Sequence, residues 1–193
     1  MHKPEAGLSD RLVDIGVELV TSGGTAAVSL REIARHAGVS HGAPRRYFPT
    51  HLELLSAIAR RGFADLATQL GAAAAGSAEG PRAQLAALGR AYLDFARSNR
   101  GMYELMFRHD LLESRRLGLR EVSLPLFRMV TALIADAQLP AGAAPEVVAG
   151  ALWANLHGIA QLWDWGSLQL ATGLGDVEPL LRAALDAHLS PRC

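Results

Sequence analysis

Cysteine is almost absent from the sequence, because Cys193 is its single example. A single thiol forms no internal disulfide, and it cannot build a zinc site that needs several cysteines. These absences exclude the disulfide-stapled class of secreted proteins and the zinc-finger class. We therefore expect a fold that a hydrophobic core stabilises, with no metal and no cofactor.

Long apolar runs are also missing. No stretch reaches the roughly eighteen uninterrupted apolar residues of a membrane-spanning helix, and residues 1–10 are polar and lack an apolar signal core. We expect a cytoplasmic protein with no membrane association. Val, Ile and Thr are sparse beside the many Ala and Leu residues, and this composition favours helices over strands. The sequence thus predicts an all-α fold.

Net charge is the third missing property, since 19 basic residues balance 19 acidic ones. The balance is not local. Between Val28 and Phe48, four arginines stand against the single acid Glu32, which leaves a net charge of +3 in this segment. A short basic segment joined to a nearly neutral body is typical of a DNA-binding module attached to a separate sensing domain.

Three helices are predicted in the first quarter of the chain. Helical spacing of apolar residues indicates a helix over 8–21, which the run Ser22-Gly23-Gly24 ends. Ser29 and Glu32 have the spacing of a capping box and open a second, short helix, which Gly38 ends. Ser40 is a suitable N-cap for a third helix to about residue 48, where Pro44 is expected to be tolerated in the first turn.

The remainder of the chain predicts a helical bundle. A long helix begins near His51, and the stretch 71–81 is interpreted as a connection. Five further helices are predicted over residues 82–98, 101–112, 115–138, 145–171 and 177–188. We divide the chain into an N-terminal helix-turn-helix domain, residues 1–50, and a C-terminal domain, residues 51–193.

The N-terminal pattern resembles the tetracycline-repressor (TetR) family of transcriptional regulators. The matching residues are Ser29, Ile33-Ala34, Ala37-Gly38-Val39-Ser40, Tyr47-Phe48-Pro49 and Leu54-Leu55. The resemblance implies a repressor that binds a palindromic operator as a homodimer and leaves it when a small molecule binds. Two residues depart from the family pattern: Arg45 replaces a common tyrosine, and His51 replaces a usual lysine.

A third helix lying in the major groove would turn its first residues toward the base edges, while flanking helix ends meet phosphates. One of the two arginines Arg45 and Arg46 can form bidentate hydrogen bonds to a guanine, and the other can bind a phosphate. The sequence does not show which residue has which role. The predicted DNA-contacting residues are Ser29, Leu30, Arg31, Ser40, His41, Ala43, Pro44, Arg45, Arg46, Tyr47 and His51.

A second pattern lies in the predicted helix 145–171. Gly150, Ala154 and Gly158 recur every four residues, so one stripe of this helix is nearly bare and lets another helix approach closely. Trp153, His157 and Gly158 resemble a Trp-x-x-x-His-Gly signature of one branch of the family, in which the last two helices form the dimer. The predicted dimer residues are Gly150, Ala154, Gly158, Gln161, Val177, Leu181, Ala184 and Leu185.

Methionine and aromatic residues are concentrated in the predicted C-terminal domain, where such side chains fill a core or line a pocket for an apolar molecule. The residues predicted to contact an apolar effector are Tyr92, Phe95, Tyr103, Met106, Phe107, Phe127, Met129, Trp153 and His157. For His157, the alternative is a hydrogen-bonded core histidine without effector contact.

Two other classes of function are weighed against the repressor. An enzyme is disfavoured because the sequence has no glycine-rich phosphate loop, nucleophile elbow or His-Glu metal motif. A helical adaptor that binds another protein through the 150–158 stripe, without DNA binding, remains the alternative.

Overall fold

The computed structural model describes residues 5–77, 80–113, 118–137 and 143–189, and within these ranges the secondary structure is entirely helical. Ten α-helices follow one another: α1 (Glu5–Gly23), α2 (Leu30–Ala37), α3 (His51–Ala75), α4 (Pro81–Ser98), α5 (Arg100–Met106), α6 (His109–Glu113), α7 (Leu119–Asp136), α8 (Pro145–Asp164), α9 (Ser167–Thr172) and α10 (Glu178–Leu189). Two 3-10 turns, Thr25–Ala27 and Pro44–Arg46, lie before α2 and α3. The prediction of an all-α fold is confirmed.

The chain forms two compact units. The first contains the described residues of 1–65 and 99–123, and the second those of 66–98 and 124–189. Helices α3 and α7 each begin in the first unit and end in the second.

The first unit has its core between α1, α2 and the first half of α3. Leu12, Ile33, Leu54 and Ile58 are fully buried there. Gly16 allows this packing, because a Cβ at this position would lie 2.3 Å from the Cδ1 atom of Ile58.

The C-terminal end of α1 is closed by a backbone hydrogen bond. Gly24 donates its N–H to the carbonyl of Val20 at 2.9 Å. Its φ of 68° lies in the left-handed region that glycine adopts without strain, so the chain can leave the helix here.

The second unit packs α4, α8 and α10 together. Gly89 on α4 permits a close approach, since a Cβ there would lie 2.5 Å from the Cδ1 atom of Leu181 on α10. Arg90 forms a bidentate ion pair with Glu178, in which both N···O distances are 2.9 Å. The hydrogen bonds that Arg90 donates to the Glu178 carboxylate raise the pKa of Arg90.

Several predicted helix limits need correction. The helix α3 continues through 72–75 to Ala75, because alanine is the strongest helix former and outweighs the isolated Gly71. The predicted helix 101–112 is interrupted between Met106 and His109, and the predicted helix 145–171 is interrupted between α8 and α9, where Gly166 has a φ of 73°. The beginning of predicted helix 115–138 and its last residue lie outside the described residues.

The predicted third helix is wrong in a more informative way. Residues 40–47, which we call the reading turn, contain only the 3-10 turn Pro44–Arg46. With Ser40 as the cap, Pro44 is the fourth residue of the expected helix and the first whose N–H would bond to the Ser40 carbonyl. Proline has no N–H, and Ala43 donates to Ser40 instead, at 2.9 Å. An α-helical turn therefore cannot close here, and a tighter turn forms.

No helix in the described parts of the chain combines the length and the apolar character needed to span a bilayer.

Candidate functional site

The helix α2 begins and ends as its sequence predicts. The Ser29 hydroxyl accepts a hydrogen bond from the Glu32 N–H at 3.1 Å, which caps the helix N-terminus. Gly38 follows the last residue with a φ of 67°, and the next N–H, that of Val39, donates to the Ala34 carbonyl at 3.1 Å. These two ends hold α2 at a fixed length before the reading turn begins.

The Glu32 carboxylate does not complete the predicted capping box. It accepts a hydrogen bond from Arg35 Nε at 3.0 Å and lies 3.1 Å from His36 Nε2. The hydrogen bond from Arg35 is the main cause that lowers the pKa of Glu32. As a consequence, one of the four arginines of this segment already has an acidic partner.

The other three arginines are available to a ligand. Arg31, Arg45 and Arg46 are exposed, and none of them forms an ion pair with any residue that the structure describes. Arg31 lies in the first turn of α2, and the other two lie in the reading turn. Three unpaired cations therefore flank the turn between α2 and α3, a pattern that suits a polyanion.

The rest of the predicted DNA-contacting set divides by burial. Ser40 and His41 are exposed in the reading turn, and Ala43 and Tyr47 are partly exposed. Leu30 and Pro44 are buried, so their side chains belong to the core of the first unit rather than to its surface.

His51 has a partner within the protein. Its Nε2 atom lies 2.9 Å from the carbonyl oxygen of Val28, to which it donates, and the bond joins the start of α3 to the residue before the Ser29 cap. Arg11 forms a comparable bond, donating to the Ala37 carbonyl at 2.9 Å, and so joins α1 to the end of α2. Sequence reasoning missed both contacts, which span more than twenty residues and leave no local signal.

A second capping motif at the start of α3 was also missed, although Thr50 and Glu53 have the required spacing. The Glu53 N–H donates to the Thr50 hydroxyl at 3.2 Å, and the Thr50 N–H donates to the Glu53 carboxylate at 3.0 Å. This reciprocal pair fixes the exit from the reading turn.

In the second unit, three of the predicted effector residues form a hydrogen-bonded chain. The Trp153 indole N–H donates to the Tyr92 oxygen at 3.2 Å, and that hydroxyl lies 3.0 Å from Nδ1 of His157. Burial lowers the pKa of His157 and favours the neutral ring, whose Nδ1 atom accepts a hydrogen bond from the Tyr92 hydroxyl. The Phe127 ring lies edge-on to Trp153 at 6.4 Å between centroids.

The other predicted effector residues are distributed between the units. Phe95 is buried and Met129 is partly buried in the second unit. Tyr103, Met106 and Phe107 belong to the first unit, where the Phe107 ring lies 5.0 Å from that of Tyr103 and 5.7 Å from that of Phe63. Tyr103 and Met106 are buried in the first unit's core, and Phe107 is partly exposed at its edge.

The predicted dimer residues also divide. Gly150 and Gly158 face open space, since a Cβ on either would meet no atom within 4 Å; Ala154 is exposed, and Gln161 is partly exposed. Leu181, Ala184 and Leu185 are buried inside the unit, because the apolar stripe of α10 packs on α4 and α8 of the same chain. Val177 is partly exposed.

Large apolar side chains that sequence reasoning missed are exposed on α8, at its C-cap and on α9. Val147 is 70% exposed, Trp165 is 65% exposed and Leu170 on α9 is 90% exposed. The sequence shows that these apolar residues lie on helices, but apolar residues on a helix are usually buried in the core. Only the structure shows that these three are exposed instead.

A capped helix that ends at a left-handed glycine and leads into a 3-10 turn with unpaired, exposed arginines is the arrangement expected of a helix-turn-helix DNA-binding protein. Comparison with known families agrees. Residues 12–58 match the bacterial regulatory proteins of the tetR family, and residues 85–188 match the tetracyclin repressor-like C-terminal domain. The chain belongs to the TetR family of transcriptional regulators, a family of DNA-binding proteins rather than of enzymes.

Solved structures with the same fold cover nearly the whole chain. A protein of unknown function from Rhodococcus sp. RHA1 is 27% identical, with a TM-score of 0.81 and coverage of 97% of both chains. The multidrug binding protein EbrR, solved with imidazole, is 27% identical at a TM-score of 0.62, covering 99% of this chain and 98% of its own. A TetR-family member from Streptomyces coelicolor A3 is 27% identical at 0.65, covering 96% and 99%. No curated protein sequence matches the chain significantly.

Proposed function

We propose that this protein is a transcriptional repressor that binds a palindromic operator as a homodimer and is released by a small, largely apolar effector. In this proposal residues 1–50 bind DNA, and residues 51–193 bind the effector and form the dimer. One observation carries the DNA-binding part: Arg31, Arg45 and Arg46 are exposed and unpaired within the described structure, while the nearby Arg35 is held by Glu32.

The three arginines lie at different places in the site, so we assign them different contacts with DNA. Arg31 lies at the N-terminus of α2, where free backbone N–H groups also favour a phosphate. Arg45 and Arg46 are adjacent in the reading turn, so their side chains leave the backbone in different directions. One of them reads a guanine edge and the other holds a phosphate, a division that gives the contact both register and sequence preference.

The hydrogen bonds that link Trp153, Tyr92 and His157 support the effector part of the proposal. They put a few polar atoms among aromatic rings in the second unit, which is the usual composition of a site for a small apolar molecule. The related EbrR is a multidrug binding protein. An effector that prefers one subunit arrangement by a few kcal/mol would shift the dimer away from the spacing that DNA requires.

The bare stripe of α8 supports the dimer. A face that is open at Gly150 and Gly158 and bordered by the exposed Val147 and Trp165 would remain in water in a monomer. A second copy related by two-fold symmetry would cover it and set the two reading turns about 34 Å apart, which is one turn of DNA. Replacing the exposed Ala154 by Arg should give monomers in light scattering, whereas the same change at the exposed Ala132 on α7 should leave dimers. Dimers of the Ala154 variant would contradict this interface.

The DNA-binding part is tested with fluorescence anisotropy on a duplex selected from a randomised pool by the purified protein. Arg45→Ala and Arg46→Ala should each weaken binding by about 5- to 150-fold, the range expected for one base or phosphate contact. Arg128→Ala removes an exposed arginine from the second unit and should leave affinity within about twofold. Failure of the wild-type protein to enrich any duplex, or equal affinities for all three variants, would reject the proposal.

A further inference from the structure

The reading turn has an unusual backbone, and its cause is a single residue. Pro44 occupies the position at which an α-helix capped by Ser40 would make its first hydrogen bond. The Ser40 carbonyl accepts instead from Ala43, one residue earlier, at 2.9 Å. The next bond, from Arg46 to the Ala43 carbonyl at 3.2 Å, has the same three-residue spacing. The 3-10 geometry thus covers Pro44–Arg46 and includes both arginines, whereas Ala43, with φ −61° and ψ −44°, keeps α-helical dihedrals.

Pro44 is also the anchor of this turn. Its ring is buried in the core of the first unit, and its carbonyl accepts from the N–H groups of both Tyr47, at 3.1 Å, and Phe48, at 2.8 Å. Phe48 is itself buried. Arg45 and Arg46 follow directly after the anchored ring, so the proline fixes the point from which both side chains leave the protein.

The difference between the two helical geometries is large on the scale of DNA. A 3-10 turn advances about 120° and 2.0 Å per residue, against about 100° and 1.5 Å in an α-helix. Over the three residues of the 3-10 turn, Pro44–Arg46, the difference is about 60° of rotation and about 1.5 Å of rise. At a side-chain radius of about 6 Å, the rotation alone moves a guanidinium by about 6 Å, more than the 3.4 Å between base pairs.

We propose that Pro44 is a specificity-determining positioning residue: it selects, through the backbone, the base pairs that Arg45 and Arg46 reach. The proline does not touch a base, since its side chain is buried. This inference rests on the proposed function, and it goes beyond that function by assigning the operator preference to a residue that neither carries charge nor contacts DNA.

The test compares duplexes selected from a randomised pool by the wild-type protein, Pro44→Ala, Pro44→Val and Pro49→Ala. Both Pro44 variants regain an N–H, and the valine keeps most of the buried volume. We expect the preferred guanine positions to move by at least one base pair in both, while affinity for unrelated DNA stays within about twofold. Pro49→Ala makes the same chemical change at the exposed proline beyond the reading turn and should select the wild-type duplex.

The outcomes separate the two hypotheses. If the wild-type protein selects a defined duplex and both Pro44 variants select the same one, the inference is wrong and the proposed function stands. If the wild-type protein selects nothing, the proposed function fails, and the inference with it. Circular dichroism monitors folding; should both Pro44 variants be unfolded, Pro44 is a core residue only and the assigned role is rejected.

Discussion

Gly101 on α5 is the position where one added methyl group should be most damaging to the first unit. A Cβ there would lie 2.5 Å from the carbonyl oxygen of Val20 and 3.2 Å from the Cα atom of Gly24. Both neighbours are backbone atoms, so no side-chain rotation can make room. The same Val20 oxygen accepts the bond from Gly24 that ends α1. Gly101→Ala should therefore move α5 and weaken that bond.

The magnitude follows from three opposing effects. The added Cβ would lie 0.5 Å closer to the Val20 oxygen than the 3.0 Å below which real Cβ contacts essentially never fall. Overpacking of this kind costs about 1–3 kcal/mol. Weakening the bond at the end of α1 costs up to about 1 kcal/mol more. Alanine returns at most about 1 kcal/mol through its helix propensity. The free energy of unfolding should fall by about 1–3 kcal/mol, which lowers Tm by about 2–12 °C in a chain of this length.

Thermal unfolding followed by circular dichroism, together with urea titration, provides the measurement. The matched control is Gly71→Ala on α3, where the same methyl group meets no atom within 4 Å. Only the helix propensity acts there, so the control should gain about 0.5–1 kcal/mol. A Gly101 variant that is as stable as the wild-type protein would refute the close backbone approach between α1 and α5.

Two further predictions concern stability. Ser29→Ala removes the cap of α2 and should lower the free energy of unfolding by about 1 kcal/mol in urea titration, whereas Ser22→Ala, at the exposed end of α1, should change it by less than half as much; equal effects would argue against the cap. Because burial lowers the pKa of His157 below 6.5, the unfolded chain binds its proton more readily, so stability should decline as the pH falls below about 6.5. His157→Gln should flatten the fall in Tm between about pH 7 and 5, and His41→Gln, an exposed control, should not; identical slopes in all three proteins would contradict the assignment.

Sequence reasoning succeeded where the cause of a structure is local. The Ser29 cap and the left-handed Gly38 depend on the chemistry of one residue and its immediate neighbours, and both were predicted correctly. The helical class followed from composition in the same way. Such features can be deduced from a few adjacent residues without knowledge of the fold.

The errors have equally specific causes. Pro44 was placed within the first helical turn, although counting from the Ser40 cap makes it the first residue whose N–H is required. The ring packing in the first unit could not be predicted either, because aromatic type does not reveal the partner: Phe107 contacts Tyr103 and also Phe63, which lies about forty residues earlier, and the assignment of Tyr103 and Phe107 to the effector site stays a prediction. The burial of Leu181 within its own chain likewise depends on where α4 and α8 lie.

The route of the chain between its two units matters for anyone who wishes to exchange parts among such regulators. Residues 99–123 belong with the N-terminal helices, and the uninterrupted helices α3 and α7 pass from one unit into the other. A graft that transferred only the first 65 residues would leave behind α5, whose Gly101 touches the end of α1. Functional chimeras should therefore require that both segments travel together, with the joins made inside α3 and α7 in matched helical phase.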